Sequence, residues 1–444
     1  MPEMSVSPYQ DIVFGEDGDI DPAGRERLLR LLRLDITDLV IFAHGWNRSP
    51  WDARTPHSAF FAPFPGLLSP QARVGYAGLI WPSMRFGDEP MPGTGPAPDG
   101  PEPLTELDAA TRDSLNGLFP GHRATVARLA RLLELRPGSA DAFAEFGRLA
   151  RRLTRAPAGG LENCFTADLP QDEQGPPALL HEDALTFCRT LGLALERSEP
   201  TAPAGPAGPT GPIGRRADPA DGSLSRSWKG AKELLRQMTY YAMKRRAGAV
   251  GELGLGPLLG QLARVRPGTR IHLVGHSQSA RLVSFALRGL PDGVHTVKSV
   301  TLLQGAFSHY AFAPSLPHAA QHAGALTAME DRVDGPVVAG YSRHDTALGV
   351  LYPLASRLAG DDRSPGRPDR RWRALGHDGF QAVRPASARL TLDEALTRGV
   401  PRSGCVSVDT ASVVRRGRPP MGAHNDICHP ELARLVVSAG RVGR

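Results

Sequence analysis

Residues 271–283 read IHLVGHSQSARLV. An apolar run from Ile271 to Val274 ends in Gly-His-Ser, and small residues follow before a helix-like spacing begins. This order predicts a buried strand, a sharp turn, and a helix that starts at the turn. A serine on such a turn stands clear of the sheet, next to a backbone N–H at the helix start. Acyl transfer needs such a nucleophile, plus a base, a group that orients the base, and donors for the oxyanion. The turn is crowded, so its flanking positions must be small; Gly275 and Ser279 are. The pattern is G-x-S-x-S, however, with Ser279 where a G-x-S-x-G elbow has glycine. Taken alone it also fits a serine in a tight turn that does no chemistry.

Outward from this stretch, buried strands alternate with helices. DLVIFAHGWN (38–47) contains a short apolar run, Leu39 to Ala43, bounded by Gly and Asn. VGYAGLIWPS (74–83), VKSVTLLQGAF (297–307), GPVVAGYSRHD (335–345) and CVSVDTASVV (405–414) read as further strands. IDPAGRERLLRLLRL (20–34) is a helix with Asp21 as N-cap and Pro22 at its first position. Residues 227–248, 251–265, 279–290 and 429–440 have helical spacing. The expected fold class is α/β, a mostly parallel central sheet covered by helices on both faces. Residues 84–225 differ in character. A Pro/Gly-rich loop leads into helical patterns at 104–119, 123–135, 140–154 and 182–196, followed by a Pro/Gly-rich tether over about 198–225. The organisation read from this is a core of 1–83 and 226–444, with 84–225 inserted as a helical cap.

The 444 residues carry a net charge of +6, which raises a nucleic-acid partner as one possibility. Yet basic and acidic residues interleave along the chain, and the densest basic spot, MKRRAG at 243–248, is short. No nucleic-acid partner is expected. No run of about 18 apolar residues is present, so no transmembrane segment is expected. The N-terminal stretch holds acids where a signal peptide has a basic start, and the expected location is the cytoplasm. Cys164, Cys188, Cys405 and Cys428 are far apart and form no C-x-x-C pair, so neither a disulfide framework nor a zinc site is expected.

HGWN (44–47), WPS (81–83) and GHSQSA (275–280) follow one another on three successive predicted strands. In this the chain resembles the α/β-hydrolase fold and is similar to a group of bacterial serine hydrolases of poorly defined substrate. The resemblance covers roughly 35–83 and 227–440 and leaves out the insertion. It implies a chain order of nucleophile, acid, histidine. Ser277 is then the nucleophile. Asp345, in the loop after a late strand, is the acid, with Asp378 as its rival. The alternative role for Asp345 is a helix N-cap. His424 is the base; His429, directly before Pro430, suits helix capping, and Asp426 suits tying down that loop. The backbone N–H groups of Trp46 and Gln278 are the expected oxyanion donors, although HGWN is also a plausible ordinary turn. His44, Phe307 and Tyr310 are candidate pocket residues.

A metal reading rests on His424, Asp426 and His429, but their spacing is not the helical H-E-x-x-H arrangement, and no metal is expected. No phosphate loop or dinucleotide fingerprint is present, so no cofactor is expected. The expected function is a serine hydrolase acting on a small-molecule carboxylic ester or related acyl bond, esterase- or lipase-like. The alternative is a catalytically inactive binding or scaffold protein on the same fold.

Overall fold

The computed structural model describes residues 3–45, 50–84, 86, 105–154, 168–169, 183–198, 219–353, 372–417 and 421–444. Among these, β1 (Tyr9–Val13), β2 (Asp38–Ala43), β3 (Val74–Ile80), β4 (Arg270–His276), β5 (Val297–Leu303), β6 (Pro336–Tyr341), β7 (Ala388–Thr391) and β8 (Gly404–Asp409) form one sheet. The strand order is β1-β3-β2-β4-β5-β6-β8-β7, and every pairing is parallel. The fold is therefore α/β, with helices on both faces of the sheet.

Burial on both faces explains the continuous apolar runs. Along β2, Leu39, Ile41 and Ala43 enter one core cluster, while Val40 and Phe42 enter the other. The first cluster is covered by the helix Gln278–Arg288 and its neighbours, the second by the closing helix Pro430–Gly440. Asp21 caps the helix Pro22–Arg33, its carboxylate accepting from the Gly24 N–H at 2.6 Å. The edge strands β1 and β7 were not anticipated. Each is short, and β7 alternates half-buried and exposed residues, so neither carries an apolar run.

The topology fixes where a site can form. The chain steps from β2 outward to β3, then crosses back to β4 on the other side of β2. The crevice at the carboxyl ends of β2 and β4 is thus a topological switch point, where open α/β sheets bind ligands. Ala43 is in register with Gly275, which brings His44 and Gly45 out beside His276 and Ser277.

The four helices read in the insertion lie at Ala109–Leu118, Arg123–Leu135, Ala140–Thr154 and Ala184–Ser198. Their apolar faces join the sheet's first core cluster rather than forming one of their own. Phe143 stacks on Trp228 of the long helix Pro219–Ala249 at 4.2 Å between ring centroids. That helix takes in 219–225, expected as part of the tether; the rest of the tether, 199–218, lies outside the described residues.

One insertion residue is locked into the core. The Asp168 carboxylate is buried against Lys244 (2.7 Å) and Arg281 (3.0 Å), and accepts from the Ser308 N–H (3.0 Å) and the Tyr352 hydroxyl (3.2 Å). Burial alone would raise its pKa, but the two cations outweigh burial and hold the carboxyl below the usual range. A depressed folded pKa contributes stability above the usual carboxylate range, about pH 4, which is lost as pH falls through the folded value. Asp168→Asn is expected to destabilise the fold by about 3–5 kcal/mol at neutral pH, because it leaves buried cations without their carboxylate. Urea denaturation measures this, and the deficit against wild type should shrink on acidification.

The lock takes up one cation of the densest basic run, and a second is paired elsewhere. Lys244 is turned inward to Asp168, and Arg246 pairs with Glu16 at 2.5 Å. No helix among the described residues is long and apolar enough to cross a membrane.

Candidate active site

Ser277 ends β4 and caps the helix Gln278–Arg288 with φ 58° and ψ −124°. This is left-handed backbone that a serine rarely adopts, and hydrogen bonds hold it there. The Ser277 N–H donates to the Leu303 carbonyl (3.0 Å), and its carbonyl accepts from the N–H groups of Ala280 (3.1 Å) and Ala306 (3.0 Å). Two glycines make room. A Cβ on Gly275 would lie 2.3 Å from the Ser279 carbonyl oxygen, and one on Gly45 would lie 2.8 Å from the Ser277 Cβ.

The structure brings Ser277, His424 and Asp345 together. Ser277 Oγ lies 2.8 Å from His424 Nε2, and His424 Nδ1 lies 2.8 Å from Asp345 Oδ2. Asp345 follows β6, and its second oxygen accepts from the Leu348 N–H at 3.0 Å. Its carboxylate thus partners the imidazole and holds one backbone N–H, while the N-cap position of the helical turn that follows is Thr346 rather than Asp345. His424 sits on the short turn Gly422–Asn425. That turn is laced to the acid's loop by bonds from Ala423 N to His344 O (2.9 Å) and from Ala347 N to Met421 O (3.3 Å).

His276 supports this set from behind. Its Nε2–H donates to the His424 carbonyl at 2.9 Å. Burial, then the neighbouring imidazoles of His424 and His44, push its pKa well below the usual histidine range, so it stays neutral.

Ser277, Gln278 and His424 open onto a cleft of about 610 Å³, counting the space open to solvent. Its walls are mainly apolar: Met84, Phe86, Tyr240, Met243, Leu348, Leu351, Tyr352 and Met421. Glu233, Arg236 and Gln237 add a polar patch. Gln278 is the first residue of its helix, so its N–H has no intrahelical acceptor and is available beside Ser277. Trp46, the other expected oxyanion donor, lies outside the described residues.

Chemically, the arrangement is a hydroxyl within reach of an imidazole whose other nitrogen is held by a carboxylate, beside an apolar cleft. No family model, curated protein or solved structure matches this chain. The reading of the site therefore rests on its own geometry.

Three candidate pocket residues are placed elsewhere. His44 is fully buried, with its ring against Phe42 and His276. Phe307 is fully buried in the main core cluster, and Tyr310 packs with Ala313 and Leu316. None of the three lines the cleft; the loop after β5 turns the rings of Phe307 and Tyr310 into the protein. The rival acid Asp378 pairs with His377 (2.6 Å), Arg373 (3.3 Å) and His309 (3.4 Å), not with His424. His429 precedes the closing helix, but its side chain makes no cap bond and reaches Asp426 instead at 2.8 Å. Asp426 also accepts from the N–H groups of Arg415 (3.0 Å) and Arg416 (2.8 Å), which ties down the histidine loop. Among the described residues, no three His, Cys, Asp or Glu side chains gather as a metal site.

The sequence reading missed the cleft wall supplied by the long helix. Its signal was present as the spacing Glu233, Arg236, Gln237, Tyr240, Met243, which lays one stripe along a helix face.

Proposed function

We propose that this chain is a serine hydrolase of the α/β-hydrolase type, cleaving a carboxylic ester or related acyl bond of a small molecule. The observation that carries the reading is the unbroken relay from Ser277 Oγ through His424 to Asp345, with both contacts at 2.8 Å, on a strained strand-to-helix turn. The chain order serine, aspartate, histidine is that of the α/β-hydrolase triad.

In this mechanism His424 Nε2 takes the Ser277 proton as Oγ attacks the substrate carbonyl. The Asp345 carboxylate accepts from Nδ1–H, which fixes the imidazole's tautomer and stabilises its cation. The Gln278 N–H, with the N–H of Trp46, holds the oxyanion. His424 then returns the proton to the leaving alcohol, giving an acyl-enzyme. Water repeats the sequence, with His424 as its base, and releases the acid. These steps call for no cofactor or metal. The insertion, 84–225, acts as a cap: Met84 and Phe86 wall the cleft, and Asp168 bonds to the hydroxyl of Tyr352, another wall residue.

The test is hydrolysis of p-nitrophenyl acyl esters by the purified chain, followed from the first turnover. Turnover above buffer, with a nitrophenol burst where deacylation is slow, supports the reading. Absence of turnover and of burst across the ester series favours the non-catalytic binding protein.

A further inference from the structure

Ser279, where a G-x-S-x-G elbow carries glycine, is fully buried and uses both sides of its hydroxyl. Oγ donates to the His44 carbonyl at 3.0 Å and accepts from the Trp81 indole Nε1–H at 2.9 Å. The indole N–H also lies 3.3 Å from the same His44 carbonyl. These residues stand just past β2, just past β3 and in the first turn after the nucleophile, and all are almost wholly removed from water. The next residue after His44 is Gly45, whose backbone lies directly against Ser277.

We propose that Ser279 is a positioning residue: its hydroxyl, together with the Trp81 indole, clamps the His44 carbonyl and so fixes the Gly45 backbone against the nucleophile. The inference rests on the hydrolase reading only for its catalytic consequence. With glycine at 279 the His44 carbonyl loses the hydroxyl donor at 3.0 Å, and the Trp81 indole loses its 2.9 Å acceptor. Gly45 lies against the Ser277 side chain, so slack at His44 is slack beside the nucleophile. Catalysis depends on reacting groups being pre-placed, and a misplacement of about 1 Å can cost about 10²-fold in rate.

Ser279→Gly and Ser279→Ala both remove the hydroxyl without adding volume, and Trp81→Phe keeps an aromatic ring while deleting the N–H. Each is expected to lower kcat and the rate of fluorophosphonate reaction by about tenfold or more, with KM within about twofold of wild type. Ser279→Ala combined with Trp81→Phe should lose little beyond the worse single variant, since both act on one carbonyl. A second readout needs no activity: amide exchange in the peptide spanning 41–49 should quicken in Ser279→Gly, with the remaining strands unchanged. Wild-type kcat and wild-type exchange in Ser279→Gly would overturn the proposal. An unreactive wild type whose 41–49 exchange still depends on Ser279 would sink the hydrolase reading and leave the clamp standing. A general loss of thermal stability with the kcat of the folded fraction unchanged would reduce Ser279 to a packing residue and also overturn it.

Discussion

Ser277→Ala is expected to lower kcat by about 10⁶-fold, to a level set by binding and oxyanion donors alone. The substitution removes the hydroxyl oxygen that faces His424 Nε2 at 2.8 Å. It does little else to the fold. Alanine meets the same φ of 58° as serine, and the bonds that hold the turn run from the backbone N–H and carbonyl of position 277. The thermal midpoint should therefore stay within a few degrees of wild type, while steady-state hydrolysis disappears. A variant that keeps a tenth of wild-type activity would remove Ser277 from the chemistry.

Asp345→Asn is expected to cost about 10⁴-fold in kcat, through the wrong tautomer rather than through lost packing. The Leu348 N–H donates to one carboxylate oxygen, so an asparagine would keep its amide oxygen there. Its NH₂ would then face His424 Nδ1. A donor at that place forces Nδ1 to accept, moves the ring proton to Nε2, and leaves no base for Ser277. KM should change little, because Asp345 does not line the cleft. Asp378→Asn is the control. Asp378 belongs to a separate cluster with His377, Arg373 and His309, and kcat should stay within about twofold. Equal losses in the two variants would mean that the relay is not what sets the rate.

The central strands and the elbow were legible in the sequence because a two-sided parallel sheet writes itself as unbroken apolar runs. Val74–Ile80 and the segment leading to Ser277 read directly as strands. The edge strands Tyr9–Val13 and Ala388–Thr391 were not legible, since a strand with one neighbour needs no such run. Ser277, Asp345 and His424 could be picked out because each falls in a loop at the carboxyl end of a strand, where motif and chain order bear on the choice. The pocket wall could not. Phe307 and Tyr310 were chosen from position along the chain, but which way a loop turns its side chains is decided by packing between distant segments. The pairing of Ser279 with Trp81 is likewise invisible in one dimension, because 198 residues separate them. Read alone, Ser279 weakened the motif. In the fold it has a role that glycine cannot fill.

The most direct test of the central claim is peptide mapping by mass spectrometry after reaction with a fluorophosphonate. The account predicts one adduct per chain, on Ser277, and none on His424→Ala under the same conditions. A folded wild type that takes up no adduct, or carries it on another residue, would contradict the account.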